Sequence, residues 1–282
     1  MGDNADLNYP QDVTVQEQFD RPLCDLSFKL LMDSCQSESE KAILLAVSSD
    51  HSSEWLNALP VSKLGLKLDN TALKIAVGLR LSTRLCSNFR CVCGDKVDSH
   101  GRHGLNCKVA QGRHRRHSEA NNIIQRALGT CDFPSTLEPS SLCRSDQKRP
   151  DELTHFSYKA GLPLVWDFTC VCTVAPSNLS ASIQGAGKAA DRAEKLKLKK
   201  YEDLQTDYHF VPVAAETFGS WGNQAKKFLE EVGNMLIKKT EEPRAKHFFY
   251  QRLSMAIIRG NVASVLGTAA NSEKMSEIFY LS

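Results

Sequence analysis

Asp151 follows Arg149-Pro150 and opens the strand-like run DELTHFSY. Asp167 interrupts an apolar run, Pro163-Leu164-Val165-Trp166 before it and Phe168-Thr169-Cys170-Val171 after it. A charge inside a buried strand is costly unless it is paired, protonated or bound to metal. Joined as a hairpin through Lys159-Ala160-Gly161, the two runs bring both carboxylates to one end of a sheet. Carboxylates that close repel, which raises one pKa unless a divalent cation lies between them. Oxygen donors suit magnesium, which activates a water for attack on a phosphodiester. Taken alone, the same residues also fit a turn aspartate after Pro150 and an edge-strand charge facing water.

A second cluster has softer donors. In CSNFRCVCGDKVDSHGRHGLNC, Cys91-x-Cys93 is followed after nine residues by His103 and after three more by Cys107. Two ligands from one tight turn and two from the next suit tetrahedral zinc, with Cys86 or His100 as possible replacements for one of them. The remaining cysteines, Cys24, Cys35, Cys131, Cys143, Cys170 and Cys172, are scattered and read as small core residues. Directly after the cluster, GRHRRH sets Arg113, His114, Arg115, Arg116 and His117 at the start of a helix. Cations there oppose the helix dipole. An anionic partner such as nucleic-acid phosphate accounts for them better than a solvated helix start.

These groups need elements to position them. At 282 residues, 41% hydrophobic and 24% charged, the chain is long enough for one large or two modest domains. A net charge of +2 does not by itself argue for nucleic acid. No apolar run of membrane-spanning length and no secretory signal occurs, so the expectation is a reducing nuclear or cytoplasmic setting, with no membrane and no disulfide-linked partner. Residues 1–20 read as a disordered tail, 21–85 as a small helical module, 86–110 as the knuckle, and 268–282 as a C-terminal tail. Within 111–267 the pattern is a helix, three strands, a long helix over about 181–204, a strand at 209–218, and helices over 222–239 and 243–258. That order predicts an α/β (α+β) mixed sheet with helices on both faces.

With Pro-Asp before the second strand and an acid in the third, this order resembles the PD-(D/E)XK restriction-endonuclease-like core. It departs at Asp167-Phe168-Thr169, where the family has lysine in place of Thr169. Some members carry that lysine on the following helix. In EKLKLKKYEDL the matching residues are Lys197 and Tyr201, with Lys195 and Lys200 nearby; a solvated or phosphate-binding basic face is the other reading of this run. Knuckle, Arg-His helix, Arg-Pro-Asp and Val-x-Asp-x-Thr in this order are similar to the C-terminal region of non-LTR retrotransposon polyproteins. The resemblance extends upstream to WLNALPVSKLGLKLDN and VGLRL, and downstream to HFVPVAAETFGSWG and FFYQRLSMAIIRGN, covering about residues 50–267.

The resemblance implies a metal-dependent DNA endonuclease, with Asp151 and Asp167 as ligands of magnesium or manganese. Glu138 would add a metal or outer contact, and Lys197 and Tyr201 would serve the reaction. Zinc on Cys91, Cys93, His103 and Cys107 would be structural. Arg113, His114, Arg115, Arg116, His117, Lys199 and Lys200 would hold DNA, or RNA. Glu119 reads as a surface charge. No polymerase motif of a reverse transcriptase is present, and no protein partner is indicated. The alternative is a catalytically inactive retroelement-derived protein that keeps zinc and nucleic-acid binding.

Overall fold

The computed structural model describes residues 15–144, 147–270 and 278–279. Along the chain these form α1 (Val15–Ser34), α2 (Glu38–Val47), α3 (Asn70–Arg80), β1 (Phe89–Arg90), β2 (Lys96–Val97), α4 (His103–Asn106), α5 (Gly112–Thr130), β3 (Ser135–Leu137), β4 (Glu152–Lys159), β5 (Leu162–Val171), α6 (Pro176–Ser182), α7 (Lys188–Lys200), β6 (His209–Glu216), α8 (Asn223–Thr240) and α9 (Ala245–Leu266).

The main sheet runs β3-β4-β5-β6. Its first three strands are antiparallel, and β6 lies parallel to β5. Ala160 and Gly161 join β4 to β5 with φ of +50° and +79°, the two left-handed residues of a type I′ hairpin turn. The parallel step needs a crossover, which α6 and α7 supply. Alternation along β5 then sorts its side chains. Leu164, Trp166 and Phe168 enter a core with α5, α8 and α9, whereas Val165 packs with Tyr201 and Phe210 on the opposite face. Each large apolar side chain buried there contributes about 2–3 kcal/mol. By the same alternation Asp167 points to the α7 face. The fold is thus a mixed α/β structure with helices on both faces of a mixed sheet.

Several boundaries differ from the sequence expectation. The long helix over 181–204 is divided into α6 and α7, because Gly185 and Gly187 take φ of +157° and +78° and a Cβ at Gly187 would collide with the Trp221 carbonyl. Glu216 Oε1 accepts from the N–H groups of Ala189 (3.1 Å) and Ala190 (3.4 Å), so the new helix start is satisfied by an acid from β6. Helix α9 continues past Ile258 to Leu266. Helix α5 begins at Gly112, which places GRHRRH inside it, and a Cβ at Gly112 would collide with Gly260 O of α9. The closeness of α5 and α9 depends on that missing atom.

Ile43, Trp55, Ile75, Cys91, Leu105, Cys107, Val262 and Val265 share one core, which joins the helical module, the knuckle and α9. Of the expected N-terminal tail, residues 1–14 lie outside the described residues, and Val15–Asp20 are the first turns of α1. Of the expected C-terminal tail, 271–277 and 280–282 lie outside them. Thr268 is buried, and the buried Phe279 forms a bridge with Cys86. Among the described residues no helix is long and apolar enough to cross a membrane.

Candidate active site and metal centre

Extending the β4–β5 register by one residue places Asp151, whose N–H donates to Trp166 O (3.1 Å). Its carboxylate Oδ2 accepts from the Phe168 N–H (2.6 Å) and from Asn121 Nδ2 (3.0 Å), and meets His117 Nε2 at 3.1 Å. Asn121 is oriented by its other end, which accepts from the Trp166 indole N–H (3.1 Å). The Asp167 side chain is only 4% exposed and forms an ion pair with Lys197 of α7, while Lys200 Nζ stands 3.9 Å from its second oxygen. Tyr201, just past the end of α7, is buried; its hydroxyl donates to Arg149 O (2.7 Å) and accepts from Lys200 (2.6 Å). The loop carrying Pro150-Asp151 is therefore tied to the end of α7.

These surroundings drive the two acids apart. Burial raises the Asp167 carboxyl, and the charge of Asp151 adds to this; Lys197 and the Tyr201 hydroxyl oppose without cancelling it. Burial also acts upward on Asp151, but His117, Asn121 and the Phe168 N–H outweigh it and hold that carboxyl low. The hydrogen bond to Asp151 in turn raises His117, against the effect of its burial. One acid kept ionised beside another that resists ionisation is an arrangement suited to acid-base or metal chemistry.

The other expected residues fall in different places. Glu138 lies just beyond β3 at φ +46°, with its carboxylate on Arg149; only its backbone N–H reaches Asp151 O (2.6 Å). Arg116, expected to grip phosphate, is 1% exposed and bonds Asn261 Oδ1 and Ser264 Oγ of α9, both at 3.0 Å. It is an internal brace, out of reach of a ligand. His117 serves Asp151 rather than a phosphate. Arg113 and His114 remain exposed and, with Lys108, His117 and Thr169, line a cleft of about 430 Å³. Lys199 is exposed and Lys200 half-buried against Tyr201. Glu119 is exposed, as expected.

Two contributors were missed by sequence reasoning. Asn121 stands one helical turn after His117, and that i,i+4 spacing was the available signal. Glu152, next to Asp151, is fully buried, accepts from the Ser135 hydroxyl (2.5 Å), and is raised by burial to about 7.

The knuckle forms around a turn in which Gly94 N–H donates to Cys91 O (2.8 Å), with His103 carried on α4. Cys91 Sγ lies 3.7 Å from Cys107 Sγ, and Cys93 Sγ lies 3.3 Å from His103 Nε2. All four donors fall within 4.8 Å of one another, the only set of three or more such donors to do so among the described residues. A tetrahedron with Zn–S bonds of about 2.3 Å has S···S edges of about 3.8 Å, so the group could hold a metal such as zinc. The cysteines are free thiols. The alternative ligands are engaged elsewhere, Cys86 on Asp98 O (3.3 Å) and His100 on the Asp98 carboxylate (3.7 Å).

No protein-family model matches this chain, and no curated protein matches it.

Proposed function

We propose that this protein is a metal-dependent DNA endonuclease with a PD-(D/E)XK-type core, related to the C-terminal region of non-LTR retrotransposon polyproteins. The observation that carries the reading is the ion pair of Lys197 with Asp167 beside Asp151. Thr169 leaves β5 without the lysine of the family pattern, and α7 returns one to the same acid. The three polar contacts of Asp151 fall on Oδ2, which leaves Oδ1 as the oxygen a metal would take. The donors are hard oxygens, which suit magnesium or manganese. Such an ion supplies Lewis acidity and an activated water. His117 and Asn121 fix the Asp151 carboxylate, Tyr201 fixes the end of α7, and Lys197 Nζ is placed to orient the attacking water or balance charge on the phosphate. Arg113, His114 and Lys108 supply backbone contacts in the adjoining cleft.

A second reading, an inactive nucleic-acid-binding descendant, is favoured by one feature. Lys197 and Lys200 already compensate Asp167 without a metal. Supercoiled plasmid incubated with and without magnesium or manganese separates the two, using Asp151→Ala and Asp167→Ala variants whose folding and DNA affinity match wild type. Metal-dependent nicking that either substitution abolishes is the expected result. A wild-type chain that binds DNA in a salt-sensitive way but never nicks it leaves the second reading.

A further inference from the structure

Helix α5 has a second basic face that the acid pair does not use. His117 and Asn121 face Asp151, but Arg115, Glu119 and Arg126 lie on another side, where Arg252 and Arg259 of α9 meet them around a cleft of about 220 Å³. Four arginines surround one glutamate. Guanidinium groups stay charged throughout the physiological range, so their gathering is unfavourable unless an anion offsets it.

The cleft is also partly preorganised. Arg259 Nη2 donates to Lys67 O (2.8 Å), which fixes one guanidinium. The Leu64-Gly65-Leu66 turn closes the cleft, with Gly65 supplying the left-handed conformation at φ +71°. Among the described residues, Arg115, Arg126 and Arg252 have no hydrogen-bond or ion-pair partner, so their donors are free to meet a ligand.

We infer that this cleft is a second phosphate site, which holds a stretch of nucleic-acid backbone other than the one presented to Asp151 and Asp167. Its length favours a polymer over a single small anion. Arg115 and Arg126 are separated by eleven positions on α5, about 16 Å along the axis, enough for several phosphates at the roughly 3.4 Å axial spacing of one strand of a duplex. Arginine's forked donors match phosphate oxygens in pairs. The site does not depend on catalysis at the acid pair.

The test is binding of a fluorescent DNA duplex by the full chain without added magnesium or manganese, over a range of salt, comparing wild type with Arg126→Ala/Arg252→Ala. Both residues are exposed and partnerless, so the variant should melt with wild type. Its dissociation constant should rise about tenfold near 0.1 M salt, and its log K against log salt slope should become shallower by roughly two. Equal affinity and slope in the two proteins overturns the inference, as does a wild-type chain that does not bind. A parallel titration with inorganic pyrophosphate tests the other source of phosphate. If pyrophosphate raises the melting temperature of wild type alone while duplex binding is equal, the cleft takes a small anion and the backbone assignment fails. Plasmid nicking by a chain that fails these binding tests would leave the catalytic proposal standing and reject this one.

Discussion

The knuckle and the acid pair are both made of groups that attract cations, but they are held together differently. At the knuckle the donors face one another, with Cys91 against Cys107 and Cys93 against His103. At the acid pair the protein supplies the compensation itself, through Lys197 and Lys200 on Asp167 and through His117, Asn121 and a backbone N–H on Asp151. The first arrangement could be held by a metal such as zinc, whereas in the second the protein's own cations and hydrogen bonds already compensate the charge.

Metal removal should therefore affect the two regions unequally, and the knuckle should give the largest effect. Structural zinc supplies on the order of 10 kcal/mol of folding free energy in small zinc domains. Cys91, Leu105 and Cys107 share a core with Val262 and Val265 of α9, so the loss would spread beyond the knuckle. Purified protein should carry one zinc per chain. Cys107→Ser should reduce that content and lower the melting temperature by at least about 10 °C. Stability unchanged by chelation would erase the contrast with the acid pair.

The next effect tests the internal compensation. Lys197→Ala strands a buried carboxylate, and breaking such a pair costs roughly 3–5 kcal/mol; Lys200, at 3.9 Å, should keep the loss near the lower end. Urea unfolding should recover most of it when Asp167→Asn is added, and part of it when magnesium is added to Lys197→Ala alone. A full loss that neither change relieves would mean that Lys197 acts through packing.

What the sequence made legible is unequal for the same physical reasons. The Asp167 strand was readable because a charge in an apolar run must have a partner, and the knuckle because ligand spacing is local. The break between α6 and α7 was hidden, since the conformation at Gly187 is set by the distant Trp221 carbonyl. GRHRRH read as one phosphate grip. The fold instead turns Arg113 and His114 to one cleft, Arg115 to another and Arg116 inward, where Gly260 leaves room for its stem. Helical phase alone cannot say which arginine meets a neighbouring helix. Glu152 gave no signal beyond being a charge at a strand start, and the groups that meet it, Ser135 of β3 and Gln125 of α5, come from other elements.

That acid provides a pH test that separates the two regions. Burial raises Glu152 from 4.5 to about 7, so the folded chain retains a proton that the unfolded chain has released. The stability this gives is complete below pH 4.5 and is lost as pH rises through about 7, up to about 3 kcal/mol in all. Glu152→Gln stays neutral. It should unfold at a urea midpoint near that of wild type at pH 5 and at a higher one at pH 8. The knuckle has the opposite sign, because thiols must lose protons to bind zinc, so its contribution grows with pH. Equal midpoints at both pH values would remove Glu152 as the source of the loss as pH rises through about 7.

The smallest effect is expected at Glu138, and it bears most directly on how the two centres differ. Its side chain is 58% exposed and pairs only with the exposed Arg149, an arrangement that adds little in water. What it gives Asp151 is a backbone N–H, which Glu138→Ala retains. The variant should melt within about 2 °C of wild type and keep any metal-dependent nicking, whereas Asp151→Ala should lose it. Loss of nicking in a Glu138→Ala chain of unchanged stability would show that the carboxylate swings from Arg149 to the metal during reaction. The acid pair would then be a three-carboxylate cage completed by its ion, and in that respect like the knuckle.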